Sequence, residues 1–159
     1  ALRPALGLAL PPGSSAVWGV VSNGGRPVAG ALLGIASVFR GAADHVRAMS
    51  GPDGSYLLVL PFETIDRGVS PPLRHFERAL AVHAPRPPLA DALARLGFAG
   101  GQPADPFSLT PAARDALYRP RDFQLRDSGG ALHPQAGGQN PPATVSVGEQ
   151  VRLDIELLP

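Results

Sequence analysis

The sequence predicts an all-β fold, a β-sandwich of about seven strands interrupted by a helical insertion near residues 87–120. Three observations predict it. Residues 151–157 alternate without a break: Val151, Leu153, Ile155 and Leu157 fall on one side, and Arg152, Asp154 and Glu156 on the other. That is the period of a half-buried strand. Short apolar runs recur between tight-turn sequences such as NGGRP (23–27) and GPDGS (51–55). Gly and Pro, at 19 each in 159 residues, suit a chain with many turns better than a helical bundle.

Taken in order, residues 5–10, ALGLAL, place Leu6, Leu8 and Leu10 on one face of an extended segment, with Ala5, Gly7 and Ala9 on the other. Pro11-Pro12-Gly13 follows, and Pro-Pro is stiff and extended. Residues 16–22 read as a strand, and Asn23-Gly24 supplies the positive φ of a hairpin turn. Residues 28–39 form a long apolar strand, in which Gly30 and Gly34 suggest bulges or close backbone approach. Residues 45–50 form the next strand, and GPDGS turns it into 56–61 to complete a hairpin. In that last strand Tyr56, Leu58 and Leu60 oppose Leu57 and Val59. Residues 78–84 are a further strand, and 144–158 hold the last hairpin.

The insertion has a different texture. Leu89, Leu93 and Leu96 share a helical face that Gly97 would cap. Thr110 is an N-cap with Pro111 at the first helical position, so 110–119 is predicted helical. Residues 121–127 return to strand, and 128–142 are a Gly/Pro-rich loop. The chain thus divides into an extended N-terminal segment, 1–15, and a sandwich domain, 16–159, with an insertion spanning 87–143.

Composition excludes several classes of function. Net charge is +1 and the 14 basic residues, all Arg, form no run, which argues against a nucleic-acid surface. The chain has no Cys, hence neither disulfides nor thiol chemistry. No stretch is long and apolar enough to span a membrane as a helix. The chain begins at Ala1, which fits removal of an export signal, so the expected location is extracellular or at the cell surface.

Two segments carry a family resemblance. Gly19-Val20-Val21, the turn after it, and Pro27-Val28-Ala29-Gly30-Ala31 are followed by Asp53-Gly54-Ser55-Tyr56 before an apolar strand. This order resembles the carboxypeptidase regulatory-like, or transthyretin-like (prealbumin-like), β-sandwich domains, and residues 145–159 look like their usual last strand. The resemblance implies an Ig-like sandwich and no particular activity. It covers 16–61 well, 144–158 in part and 62–143 poorly. Asp53 and Gly54 are read as turn residues, and Tyr56 and Trp18 as core or sheet-edge packing.

No catalytic constellation stands out. His45, His75, His83 and His133 share no metal-ligand spacing, no Ser sits in a nucleophile elbow, and no Gly-rich stretch continues into a phosphate loop. Among enzymes resembling this sandwich, hydroxyisourate hydrolases end in Tyr-Arg-Gly-Ser, whereas this chain ends IELLP. Intradiol dioxygenases pair Tyr and His on iron, and only Tyr56 and Tyr118 are present. The expectation is a protein that is not an enzyme and holds no cofactor. Loop aspartates such as Asp44, Asp53 and Asp127 have the oxygen chemistry of calcium ligands, but Asp is common in turns because it bonds nearby amides.

Two function classes lead, ahead of a third, an enzyme whose site the sequence does not reveal. One is an exported structural subunit that assembles with copies of itself into a fibre, a pilus-like filament or a surface layer. Leu6, Leu8 and Leu10 would be the donor-strand face, and the long apolar strands 28–39 and 151–157 the acceptors. The competing fate of 5–10 is pairing within its own sheet. The other class is an accessory module of a larger secreted or outer-membrane protein, binding a surface protein or a glycan.

Overall fold

The computed structural model describes residues 14–36, 45–60, 75–87, 90, 110–146 and 148–159. Leu6, Leu8 and Leu10 lie outside the described residues, as do Leu89, Leu93 and Leu96 of the first predicted helix.

The fold is all-β, with strands in several sheets. In chain order the strands are β1 (Ser15–Asn23), β2 (Arg26–Pro27), β3 (Leu32–Ala36), β4 (His45–Met49), β5 (Ser55–Leu60), β6 (His75–Arg78) and β7 (Leu80–Pro85). Helix α1 (Pro111–Leu117) follows, then β8 (Tyr118–Pro120), β9 (Phe123–Asp127), β10 (Leu132–His133), β11 (Ala143–Ser146) and β12 (Gln150–Leu157). The largest sheet runs β10-β9-β12-β1, with β5 along the first part of β1 and β2 at its far end. A second sheet runs β4-β3-β7-β8, and β11 pairs with β6.

One apolar cluster joins the sheets. Val17 and Val21 of β1, Tyr56 and Leu58 of β5, Phe123 and Leu125 of β9 and Ile155 of β12 meet Leu33 and Ile35 of β3 and Val82 of β7. Each fully buried large side chain contributes about 1.5–3 kcal/mol relative to exposure. The alternation read in 151–157 is the inward face of β12, which pairs parallel with β1 on one side and antiparallel with β9 on the other.

Several pairings differ from the sequence reading. β4 and β5 are not a hairpin: β4 pairs with β3, β5 with β1, and the turn between them passes from one sheet to the other. Ser50 fixes that crossing. It is fully buried, its hydroxyl donates to the Val28 carbonyl (2.6 Å), and it accepts from the N–H of Ala31 (2.9 Å). Residues 28–31 are accordingly a connection rather than strand, and Gly30 takes a φ of 73° there. The first hairpin turns on Gly24 and Gly25, both at positive φ, as a two-residue primed turn requires, while Asn23 stays in the strand.

The last hairpin is also absent, since β11 pairs with β6 while β12 enters the large sheet. Helix α1 ends at Leu117, and Tyr118–Pro120 is strand. The Thr110 hydroxyl caps its start by accepting from the N–H of Ala113. Pro120 disfavours helical backbone in the residue before it, which ends the helix early. Short pieces such as β2, β8 and β10 raise the strand count above about seven; each is two or three residues long.

Candidate functional site on the large sheet

Tyr56 lies opposite Gly19 in the antiparallel β5–β1 ladder. Its side chain crosses β1 there, and its hydroxyl donates to the Leu153 carbonyl of β12. A Cβ on Gly19 would collide with that same carbonyl. The glycine is thus the gap through which β12 approaches, and the ring covers it, as aromatic residues do over strand glycines. The N–H of Val20 donates to Asp154 Oδ1 (3.1 Å), so a side chain supplies an acceptor beside the diverted carbonyl. Burial, and then the charge of Asp154, push the Tyr56 phenol well above its ordinary range.

The turn before β5 delivers Tyr56. Asp53 Oδ1 accepts from the N–H and the hydroxyl of Ser55 (3.1 and 2.6 Å), and those bonds hold its carboxyl below the usual range. Gly54, at φ +79°, packs against the Val21 carbonyl, where no side chain fits. Asp53, Gly54 and Tyr56 therefore act together, and they serve the fold.

Trp18 is not in the core. Val17, Gly19 and Val21 alternate inward, which turns Trp18 and Val20 to the outer face, where both are half-buried. The Arg152 guanidinium lies over the indole, 5.2 Å from the ring centre, and bonds Asp154 at 3.3 Å. Leu57, opposite Trp18 on β5, is half-buried, and Val59 is 37% exposed. The outer face around β1 and β5 is thus an apolar strip bounded by the Arg152–Asp154 pair.

The strip ends at an open edge. β5 pairs with β1 on one side, and among the described residues no strand pairs with its other side. This corrects the expected acceptors. Strand 151–157 lies within β12, between β1 and β9, and the stranded part of 28–39 is β3, between β4 and β7. Both ladders are already filled on both sides, so neither offers an edge.

The remaining polar candidates are dispersed. His133 Nε2 meets Asp127 Oδ2 at 3.1 Å on the exposed β9–β10 hairpin, His83 is half-buried on β7, and His45 and His75 begin β4 and β6. Among the described residues no three His, Asp or Glu converge on one point. Asp44 lies outside the described residues. Sequence reading missed Gly19, Ser50 and Asp154 as structural keys. A glycine in the middle of an apolar strand is the signal that marks Gly19; Ser50 and Asp154 have no local signal, since their partners are distant in sequence.

Comparison with family models, curated proteins and solved structures returned no match.

Proposed function

We propose that this chain is a non-catalytic, exported structural subunit with a transthyretin-like, Ig-like sandwich, and that copies join by strand addition at the β5 edge. The observation that supports this reading most is the open side of β5 beside a partly exposed apolar strip. An exposed apolar edge is a liability unless something covers it. Residues 5–10 have the period to do so: Leu6, Leu8 and Leu10 would extend the row of Leu57 and Val59, in the manner of β-augmentation. Donation from copy to copy is head-to-tail, so it propagates as a filament or layer.

Reach does not decide whose edge is covered. The link from Leu10 to Ser15 extends to about 17 Å, and the edge lies two strand spacings, about 10 Å, from β1. The test therefore compares full-length protein with a variant lacking residues 1–12, by electron microscopy and sedimentation. Polymers of the full chain and a folded monomer of the truncated one support the reading. A monomeric full chain at high concentration, with a truncated chain of lowered stability, means that the segment covers its own molecule's edge and overturns it.

The outer face favours a second reading, an accessory module that binds a surface protein or glycan through Trp18. Trp18 is the sole Trp, so its fluorescence reports the site directly. Saturable changes with an oligosaccharide, lost in Trp18→Ala, would support this reading over assembly.

A further inference from the structure

The open side of β5 is narrower than the strand. The N–H of Val21 donates to the Gly54 carbonyl (2.8 Å), and in the antiparallel β5–β1 ladder Tyr56 lies opposite Gly19 and Leu58 opposite Val17. By the two-residue period, Tyr56, Leu58 and Leu60 turn their N–H and carbonyl groups to β1, while Ser55, Leu57 and Val59 turn theirs to the open side. Ser55 is already bonded there. Its N–H donates to Asp53 Oδ1 (3.1 Å), and its carbonyl accepts from the N–H of Gly51 (2.8 Å). In the other direction, the next residue in phase is Pro61, which has no N–H. The edge thus offers a short window, Leu57 and Val59, and among the described residues no strand pairs with it.

The same window carries the apolar surface. Leu57 is half-buried and Val59 partly exposed on the outer face, whereas Leu58 and Leu60 are buried in the core. An added strand therefore has apolar area to cover on its outer side and little to gain from bulk on its inner side. Residues 5–10 have that asymmetry, with Leu6, Leu8 and Leu10 against Ala5, Gly7 and Ala9. Pro4 and Pro11 bracket the segment, as Ser55 and Pro61 bracket the window.

Direction follows from bonding and reach. Antiparallel pairing is the more stable per residue. It satisfies the whole window with Leu8 opposite Leu57 and Leu6 opposite Val59. Counting on, Leu10 meets the closed Ser55, and Pro4 meets Pro61, where neither has an N–H. A segment in this register cannot come from the same molecule. Ser15 lies opposite Leu60. With Leu10 beside Ser55, the link to Ser15 would run about 17 Å along the strand and about 10 Å across it, about 20 Å in all. At full extension it spans about 17 Å. The chain's own segment reaches the edge when it runs parallel to β5, with Leu8 beside Val59 and Leu6 beside Leu57.

We propose that β5 accepts residues 5–10 of a second copy in the antiparallel register, Leu8 on Leu57 and Leu6 on Val59. This register presupposes the strand addition proposed for the β5 edge, and it gives assembly and self-coverage different contacts.

The test is disulfide mapping in the full chain, which has no Cys of its own. Leu8→Cys and Leu6→Cys are each co-assembled with Leu57→Cys or Val59→Cys, oxidised, and analysed by electron microscopy and peptide mass spectrometry. Residues opposite each other in a bonded antiparallel pair have Cα atoms about 5.5 Å apart, within disulfide range, whereas diagonal neighbours are about 7–8 Å apart. Cysteines at 8 and 57, and at 6 and 59, should therefore join between molecules severalfold more than those at 8 and 59 or 6 and 57. Circular dichroism checks the fold of each variant, and the two pairs report the register independently. Filaments that join 8 to 59 and 6 to 57, or that form no disulfide, overturn the register and leave assembly standing. A chain that stays monomeric overturns both, and closure of the double variant Leu8→Cys, Val59→Cys within one molecule then identifies self-coverage.

Discussion

The hydroxyl of Tyr56 and the carbonyl of Leu153 are bonded across an intervening strand, over the bare backbone of Gly19. Tyr56→Phe leaves a buried carbonyl without its donor and should cost about 1–3 kcal/mol. Gly19→Ala places a methyl group against that carbonyl and should cost as much or more, since overpacking typically costs about 1–3 kcal/mol. Urea denaturation of the two variants checks both values. A loss below about 0.5 kcal/mol for each, the ordinary range for surface changes, would show that the crossing contributes little.

The same phenol sets the alkaline limit of stability. Burial raises the Tyr56 and Tyr118 phenols above their unfolded value near 10. Their contribution is complete below that pH. Above it the unfolded chain releases protons that the folded chain keeps, so stability falls as pH rises. Tyr56→Phe should be less stable at neutral pH yet lose stability less steeply above pH about 10. Denaturation midpoints across the alkaline range, read alongside tyrosinate absorbance, measure the slope; parallel slopes would contradict the assignment.

Ser50→Ala removes the hydroxyl that links Val28 and Ala31 at the crossing between sheets. The N–H of Ala31 is buried with no alternative, so a loss of about 1–3 kcal/mol is expected. Ser50→Thr keeps the hydroxyl but adds a methyl group to a filled site. Thermal unfolding should therefore rank the native chain first and both variants below it.

The β9–β10 hairpin should loosen in acid. The His133 side chain, followed by the N–H groups of Ala131 and Gly129, holds the Asp127 carboxyl below the ordinary aspartate range. A lowered carboxyl supports the fold above its unfolded value near 3.9 and loses that support as pH falls through the lower folded value. The amide signals of Gly129 and Ala131 should titrate together below pH about 3.9. His133→Gln should move that midpoint upward, and a midpoint at or above the unfolded value in the native chain would refute the arrangement.

Local chemistry carried much of this fold into the sequence. The unbroken alternation of 151–157 marks the inward face of β12, and Asp53-Gly54 marks the turn that delivers Tyr56. Partner choice was not legible. β4 with β5, and β11 with β12, read as hairpins because a turn separates each pair, yet each strand finds a ladder elsewhere. What redirects β4 is a buried serine bonded to residues about twenty positions earlier, a tertiary fact with no local pattern. Trp18 was read as core or sheet-edge packing; apolar neighbours on both sides hide the strand's facing, which puts it half-buried on the outer face.

The parallel pairing of β1 with β12 also has a mechanical side. Pulling backward from Ser15 and forward from Leu157 draws two parallel neighbours past each other along their length, over the register from Ala16–Gln150 to Asn23–Leu157. Their hydrogen bonds would then be loaded together in shear. Pulling between Ser15 and Leu60, which face each other at one end of an antiparallel pair, would instead peel the bonds one at a time. Single-molecule extension from these two pairs of anchor points should give a high rupture force in the first direction and a low one in the second.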